Sequence, residues 1–333
     1  MRRREFIAGI GGAAAWSVAA EAQQQPRPAV GFVTARSAAA SERAVAAFRK
    51  GLRETTYVED RNVTVEYHWL DGQFDRLPGL MADLVRRRVA VIATPNNTLI
   101  TTTAKTATTT IPIVFSVGID PVKTGLVASF ARPGGNATGI HYFAVELTAK
   151  RLGLLRALAP KATRVAILVN PANGPSADET LRSVGDAARA IGLQTKVLNA
   201  STSDEIDAAF ATLARECVDD VHGSDMLFVS ADGLLQSRSE QLVALTARAK
   251  IPAAYPDRAA VAAGGLMSYG TDIAEMYRQV GVYTGTILKG AKPADLPVQQ
   301  SAKFEFVINR KTAKALGLEI PVMLMVSATE LID

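Results

Sequence analysis

Polar side chains that directly follow apolar runs are where this chain could do chemistry. Asp120 stands in IPIVFSVGIDPVKTGLVASF, residues 111–130, with no charged residue within two positions. Its carboxylate suits an ammonium group, or a helix cap beside Pro121. Ser37, Asn96, Asn97 and Thr98 hold similar places after two earlier apolar runs. They offer hydroxyl and amide donors suited to a carboxylate, or serve as turn formers and caps. Further on, Asn170 and Asn173 flank Pro171, and Asp232 follows the run 226–230. Tyr142, Tyr255 and Tyr269 each end an apolar segment, where a ring can stack on a flat ligand or pack in the core.

Catalytic arrangements find no support in the same residues. Ser268 lies in Gly265-Leu-Met-Ser-Tyr-Gly270, where the first glycine is one position too far away for a nucleophile elbow. No phosphate-cradling G-x-x-x-x-G-K-[ST] loop occurs. Gly9-x-Gly11-x-x-Ala14 has dinucleotide spacing but no strand before it. His68, His141 and His222 are far apart, and Cys217 with His222 lacks the further ligands a metal needs. Asp219-Asp220 falls in a polar loop. No cofactor, no metal and no catalysis are expected.

The elements that must position these residues repeat. The first half reads strand 29–34, loop 35–41, helix 42–54 and strand 62–67. The second half reads strand 164–169, loop 170–175, helix 177–191 and strand 194–198. Helix 76–87, strand 89–93 and helix 98–108 lead to the strand at 111–115, which restarts as a helix near 122–128. Their counterparts are helix 204–215, strand 226–230 and helix 237–249 before 251–255. Each half closes on a short strand, 137–142 and 265–269. Such alternation predicts an α/β fold with two doubly wound, Rossmann-like lobes built on parallel sheets. A helix within 144–160 bridges them, helix 273–288 can return to the first lobe, and 289–300 reads as a linker. The lobes are expected at 27–143 plus 272–292 and at 144–271 plus 300–333. A chain crossing more than once makes a hinge. All the candidate loops lie at strand C-terminal ends, so they would face each other across an interlobe cleft suited to an anionic ligand group.

The chain opens MRRREFIAGIGGAAAWSVAAEAQQQ. Arginines, a short apolar stretch and Ala20-Glu21-Ala22 predict an export leader, residues 1–22, cleaved after Ala22. Arg3-Arg4-Glu5-Phe6-Ile7 fits the twin-arginine pattern; an ordinary secretory leader is the alternative. The net charge is +5, dispersed except at Arg86-Arg87-Arg88, which reads as a solvated helix end. No basic stripe interleaves with aromatics, so nucleic acid is not an expected partner. With a single cysteine there is no intrachain disulfide. No apolar run beyond the leader is long enough for a membrane span.

Several long segments carry a resemblance: AFRKGLRETTYVEDRNVTVEYHWLDGQFDRLPGLMADLV, TTTIPIVFSVGIDPVKTGLVASFARPGGNATGI, AILVNPAN, AAGGLMSYG and VINRKTAKALGLEIP. Together with the leader they resemble the ABC-transporter substrate-binding proteins, in particular the tryptophan- and tyrosine-binding branch. The resemblance covers nearly the whole chain. It implies a type I periplasmic binding protein fold, a small metabolite such as an amino acid or aromatic compound held in the cleft, and an inner-membrane permease driven by a separate ATPase. A periplasmic monomer is expected. The chain departs from the usual pattern at ECVDDVHGSD, 216–225, and at His141-Tyr142-Phe143. Two other functions fit the same cleft: a ligand-sensing subunit for a membrane signalling receptor, and an exported two-domain enzyme.

Overall fold

The computed structural model describes residues 27–219 and 224–333. The expected leader, 1–22, lies outside them, as do Asp220 and His222. The side chains of 214–225, which include Cys217 and Asp219, are likewise outside what is described.

Chain order gives β1 (Ala29–Thr34), α1 (Glu42–Glu54), β2 (Thr64–Trp69), α2 (Leu77–Arg86), β3 (Val91–Thr94), α3 (Thr98–Ala107), β4 (Ile113–Val117) and β5 (Ala137–His141). Then follow α4 (Thr148–Leu158), β6 (Ala162–Val169), α5 (Pro175–Ala190), β7 (Gln194–Asn199), α6 (Ser203–Asp219) and β8 (Ser224–Val229). Next come α7 (Gly233–Ser237), α8 (Ser239–Ala249), β9 (Ala253–Tyr255), α9 (Arg258–Ala262) and β10 (Met267–Thr271). The tail adds α10 (Ile273–Leu288), β11 (Gln299–Gln300), β12 (Phe304–Asn309), α11 (Arg310–Ala315), α12 (Val322–Ser327) and β13 (Glu330–Ile332).

These strands build two sheets, in the orders β11-β5-β4-β3-β1-β2 and β13-β12-β10-β9-β8-β6-β7. The first is parallel throughout. The second is parallel except where β12 runs antiparallel to β10. Both faces of each sheet are covered, which is why the strands read as unbroken apolar runs. Val30 and Phe32 of β1 pack under α1 and α10, against Phe48, Tyr277 and Val280, while Val33 joins the α2 side with Leu84 and Met81. In the second sheet Val165 and Ile167 face α4 and α5, whereas Ala166 and Leu168 face α6 and α8.

Three differences from the expected elements have local causes. Residues 121–127 form turns, not a helix: Leu126 N–H reaches Pro121 O, but Gly125 swings to φ +70° and the coil cannot propagate. The expected linker 289–300 ends in β11, two exposed polar residues paired with β5; Val298 just before it is buried. Strand β2 begins two residues later than its apolar pattern suggested, at Thr64.

The chain passes between the sheets three times, after β5, after β10 and after β11. The crossings are bonded together: Thr271 Oγ1 donates to Tyr142 O at 2.7 Å and Ser301 N–H to His141 O at 2.9 Å. Asp272 N–H donates to Lys303 O at 3.1 Å. This three-stranded seam is the hinge. Among the described residues, no helix is long and apolar enough to cross a membrane.

Candidate functional site

Each sheet reverses its strand order once: between β1 and β3 in the first, between β6 and β8 in the second. At such a switch point the loops leaving neighbouring strands diverge and open a crevice. The four loops concerned hold Arg36 and Ser37, Asn96 and Asn97, Asn170 to Asn173, and Ser230 to Asp232. In this structure the two crevices face each other and are closed together. Ser37 N–H donates to Ser237 Oγ at 2.9 Å. Asn96 Nδ2 donates to Gln236 Oε1 at 2.9 Å, and Asn97 Nδ2 to Asn173 Oδ1 at 3.3 Å. At the rim Arg238 clamps Asp71 with two bonds of 2.9 and 3.2 Å.

Between the closed lobes lies a cavity of about 20 Å³, lined by Asn96, Tyr142, Arg151, Gln236, Tyr269 and neighbours. That is room for one water. A metabolite site is of the order of 300 Å³ or more, so the lobes must part to admit a ligand.

Of the residues singled out in the sequence, Asn96, Tyr142 and Tyr269 line this cavity. Asn97, Asn170, Asn173 and Asp232 form a buried network beside it. Asn173 Nδ2 donates to Asp232 Oδ2 at 2.8 Å and Asn170 Nδ2 to Asp232 Oδ1 at 3.3 Å. Asp232 also caps α7, accepting from Leu234 and Leu235 N–H, while Asn97 caps α3 through Ile100 N–H. Burial pushes the Asp232 carboxyl above its ordinary value, and these four donors work against the shift. Thr98 is buried in the first turn of α3, and Ser37 sits at the rim.

Two expected contacts stand elsewhere. Tyr255 is a core residue of the second lobe, its hydroxyl 3.0 Å from Thr246 Oγ1. Asp120 accepts from Val122 and Lys123 N–H at 2.8 and 3.3 Å, so its carboxylate closes the turn after β4, and it does not line the cavity.

Sequence reasoning missed Gln236, which carries no local signal, and three charged residues. Arg36 and Asp257 meet across the cleft at 4.0 Å, both almost fully buried. Arg151 on α4 is also buried, with its Cζ 4.2 Å from the Phe228 ring centroid and one bond of 3.2 Å to Val229 O. Desolvation pulls its guanidinium down to about 9, with Asp257 opposing the shift. A signal for Arg151 existed: it falls in register with Leu155 and Leu158 on the apolar stripe of the helix, where a cation is out of place.

The hinge holds a further buried group. His141 packs 4.4 Å from the Phe143 ring and 3.6 Å from Glu146 Oε1. Burial holds its imidazole below the ordinary value, against the pull of Glu146 and Asp120.

Comparison with known proteins finds chains of similar sequence and fold. A tyrosine-binding protein of Clostridioides difficile is 26% identical over 282 residues, 84% of this chain and 77% of the relative. A solved domain from Streptococcus pneumoniae in complex with L-Trp superposes with a TM-score of 0.79 at 23% identity, covering 92% of this chain and all of that one. A conserved domain protein from Vibrio cholerae gives 0.80 at 24% identity, over 91% and 99%. The family model described as ABC transporter substrate binding protein matches residues 30–332. The chain therefore belongs to the substrate-binding proteins of ABC transporters.

Proposed function

We propose that this substrate-binding protein captures an aromatic amino acid between its lobes and delivers it to an inner-membrane permease. The observation that carries the reading is the pairing in one cleft of two tyrosines, Tyr142 and Tyr269, with the amides of Asn96 and Gln236. Rings suit a flat side chain, and amides with a guanidinium suit the polar end. The names of the similar proteins from C. difficile and S. pneumoniae support the same ligand class. Export of the mature chain as a periplasmic monomer, with the leader cleaved after Ala22, completes the proposal. So does the assignment of its work to binding and hinge closure rather than catalysis.

Calorimetry on the mature protein, residues 23–333, tests this directly. Tyrosine, tryptophan or phenylalanine should bind and raise the unfolding temperature, as any ligand selective for the folded state does. Leucine and neutral sugars should do neither. Tight binding of a sugar with no response to aromatic amino acids would overturn the proposal.

A further inference from the structure

We infer that Arg151 is the anion anchor of the cleft, and that the ligand presents a carboxylate to its guanidinium. The inference rests on the functional reading above and adds to it the residue that holds the ligand's acid group.

Arg151 is 3% exposed, and its Nε has no hydrogen-bond partner. Its hydrogen bond to Val229 O uses only one edge of a group with five donors. Among the described residues no carboxylate stands within 4.0 Å of it. The other buried cation of the cleft, Arg36, differs in this respect, because it faces Asp257. Asp257 also acts on Arg151 from beyond contact distance, so two buried guanidiniums share one carboxylate. Arg151, which has no ion pair of its own, lines the interlobe cavity beside Asn96, Tyr142 and Tyr269. A buried charge without a counter-ion lowers stability. A ligand carboxylate supplies the counter-ion, and its two oxygens match the planar fork that a guanidinium edge presents. Phe228 beneath the guanidinium fixes the plane of that fork.

The test is calorimetry of wild type, Arg151→Met and Arg151→Lys against L-tyrosine, L-tyrosinamide and tyramine. Wild type should prefer tyrosine over the other two by about 100-fold or more, the range for losing one partner of a buried charge pair. Arg151→Met should lose that preference and bind tyrosine as weakly as tyramine. Arg151→Lys should recover part of it, since it restores charge without the fork. The ligand-free unfolding midpoint of Arg151→Met should equal or exceed that of wild type; a purely structural arginine would lower it. Equal wild-type affinity for tyrosine and tyrosinamide overturns the inference alone, and needs no variant to fold. An unchanged preference in Arg151→Met does the same. Wild type that binds no aromatic amino acid overturns the functional reading and this inference with it.

Discussion

Asp232 accepts hydrogen bonds from Leu234 N–H, Leu235 N–H, Asn170 Nδ2 and Asn173 Nδ2. One carboxylate thus starts α7, ties the loop after β6 to the loop after β8, and sets Asn173 where Asn97 of the other lobe meets it. Asp232→Ala would leave buried donors without acceptors, so unfolding in urea should show a loss of about 3 kcal/mol. Asp232→Asn keeps one carbonyl oxygen and should lose less. Equal midpoints for Asp232→Ala and wild type would show that the network adds nothing. Polar residues just after apolar runs were legible as a class. For Asn97 and Asp232, capping and contact with the other loops looked like alternatives in sequence, yet each side chain does both. Asp120 has the same local sequence context but only closes a turn after β4. What separates them is which loops face the other lobe, and that depends on strand order. Arg151 stayed hidden because a helical register has to be assigned before a cation on its apolar stripe looks misplaced.

At the scale of elements, buried parallel strands declare themselves by continuous apolar runs, as β3 and β4 do, every residue of each being buried. Edges do not: β11 is two exposed glutamines held by register with β5, and nothing in Gln299-Gln300 announces a strand. The return of α10 to the first lobe depends on another quiet signal. Gly51 of α1 and Gly281 of α10 face the opposing helix so closely that a Cβ on Gly281 would stand 2.1 Å from Phe48 O, and one on Gly51 1.9 Å from Arg278 O. Neither glycine breaks its helix; each removes a side chain so that the two backbones can touch. Gly281→Ala should therefore destabilise the protein by about 2 kcal/mol or more by forcing the helices apart, despite alanine's better helix propensity. The urea midpoint decides it: a rise would mean that propensity wins and that the close approach is dispensable.

For the whole molecule, the twofold strand–helix pattern carried the architecture, and the chain's three crossings make the two lobes one hinged body. The pattern did not show how the lobes meet. The closed form is held by amide contacts inside and by the Arg238–Asp71 clamp at the rim. The clamp is partly solvated, with side chains 28% and 35% exposed, so its worth is about 1 kcal/mol or less. That is still enough to shift an open–closed balance several-fold. Asp71 sits at φ +46°, a conformation that asparagine also tolerates, so Asp71→Asn removes the charge with little backbone penalty. Ligand-free Asp71→Asn should show a larger radius of gyration in small-angle scattering. With saturating ligand it should match wild type, because differential contacts with the ligand then dominate closure. Its ligand affinity should fall about 2- to 5-fold, and Arg238→Gln should give the same loss without adding to it in the double variant. If the scattering curves of the two ligand-free proteins coincide and affinity is unchanged, the rim clamp plays no part in closure and the contacts inside the cleft hold the lobes together without it.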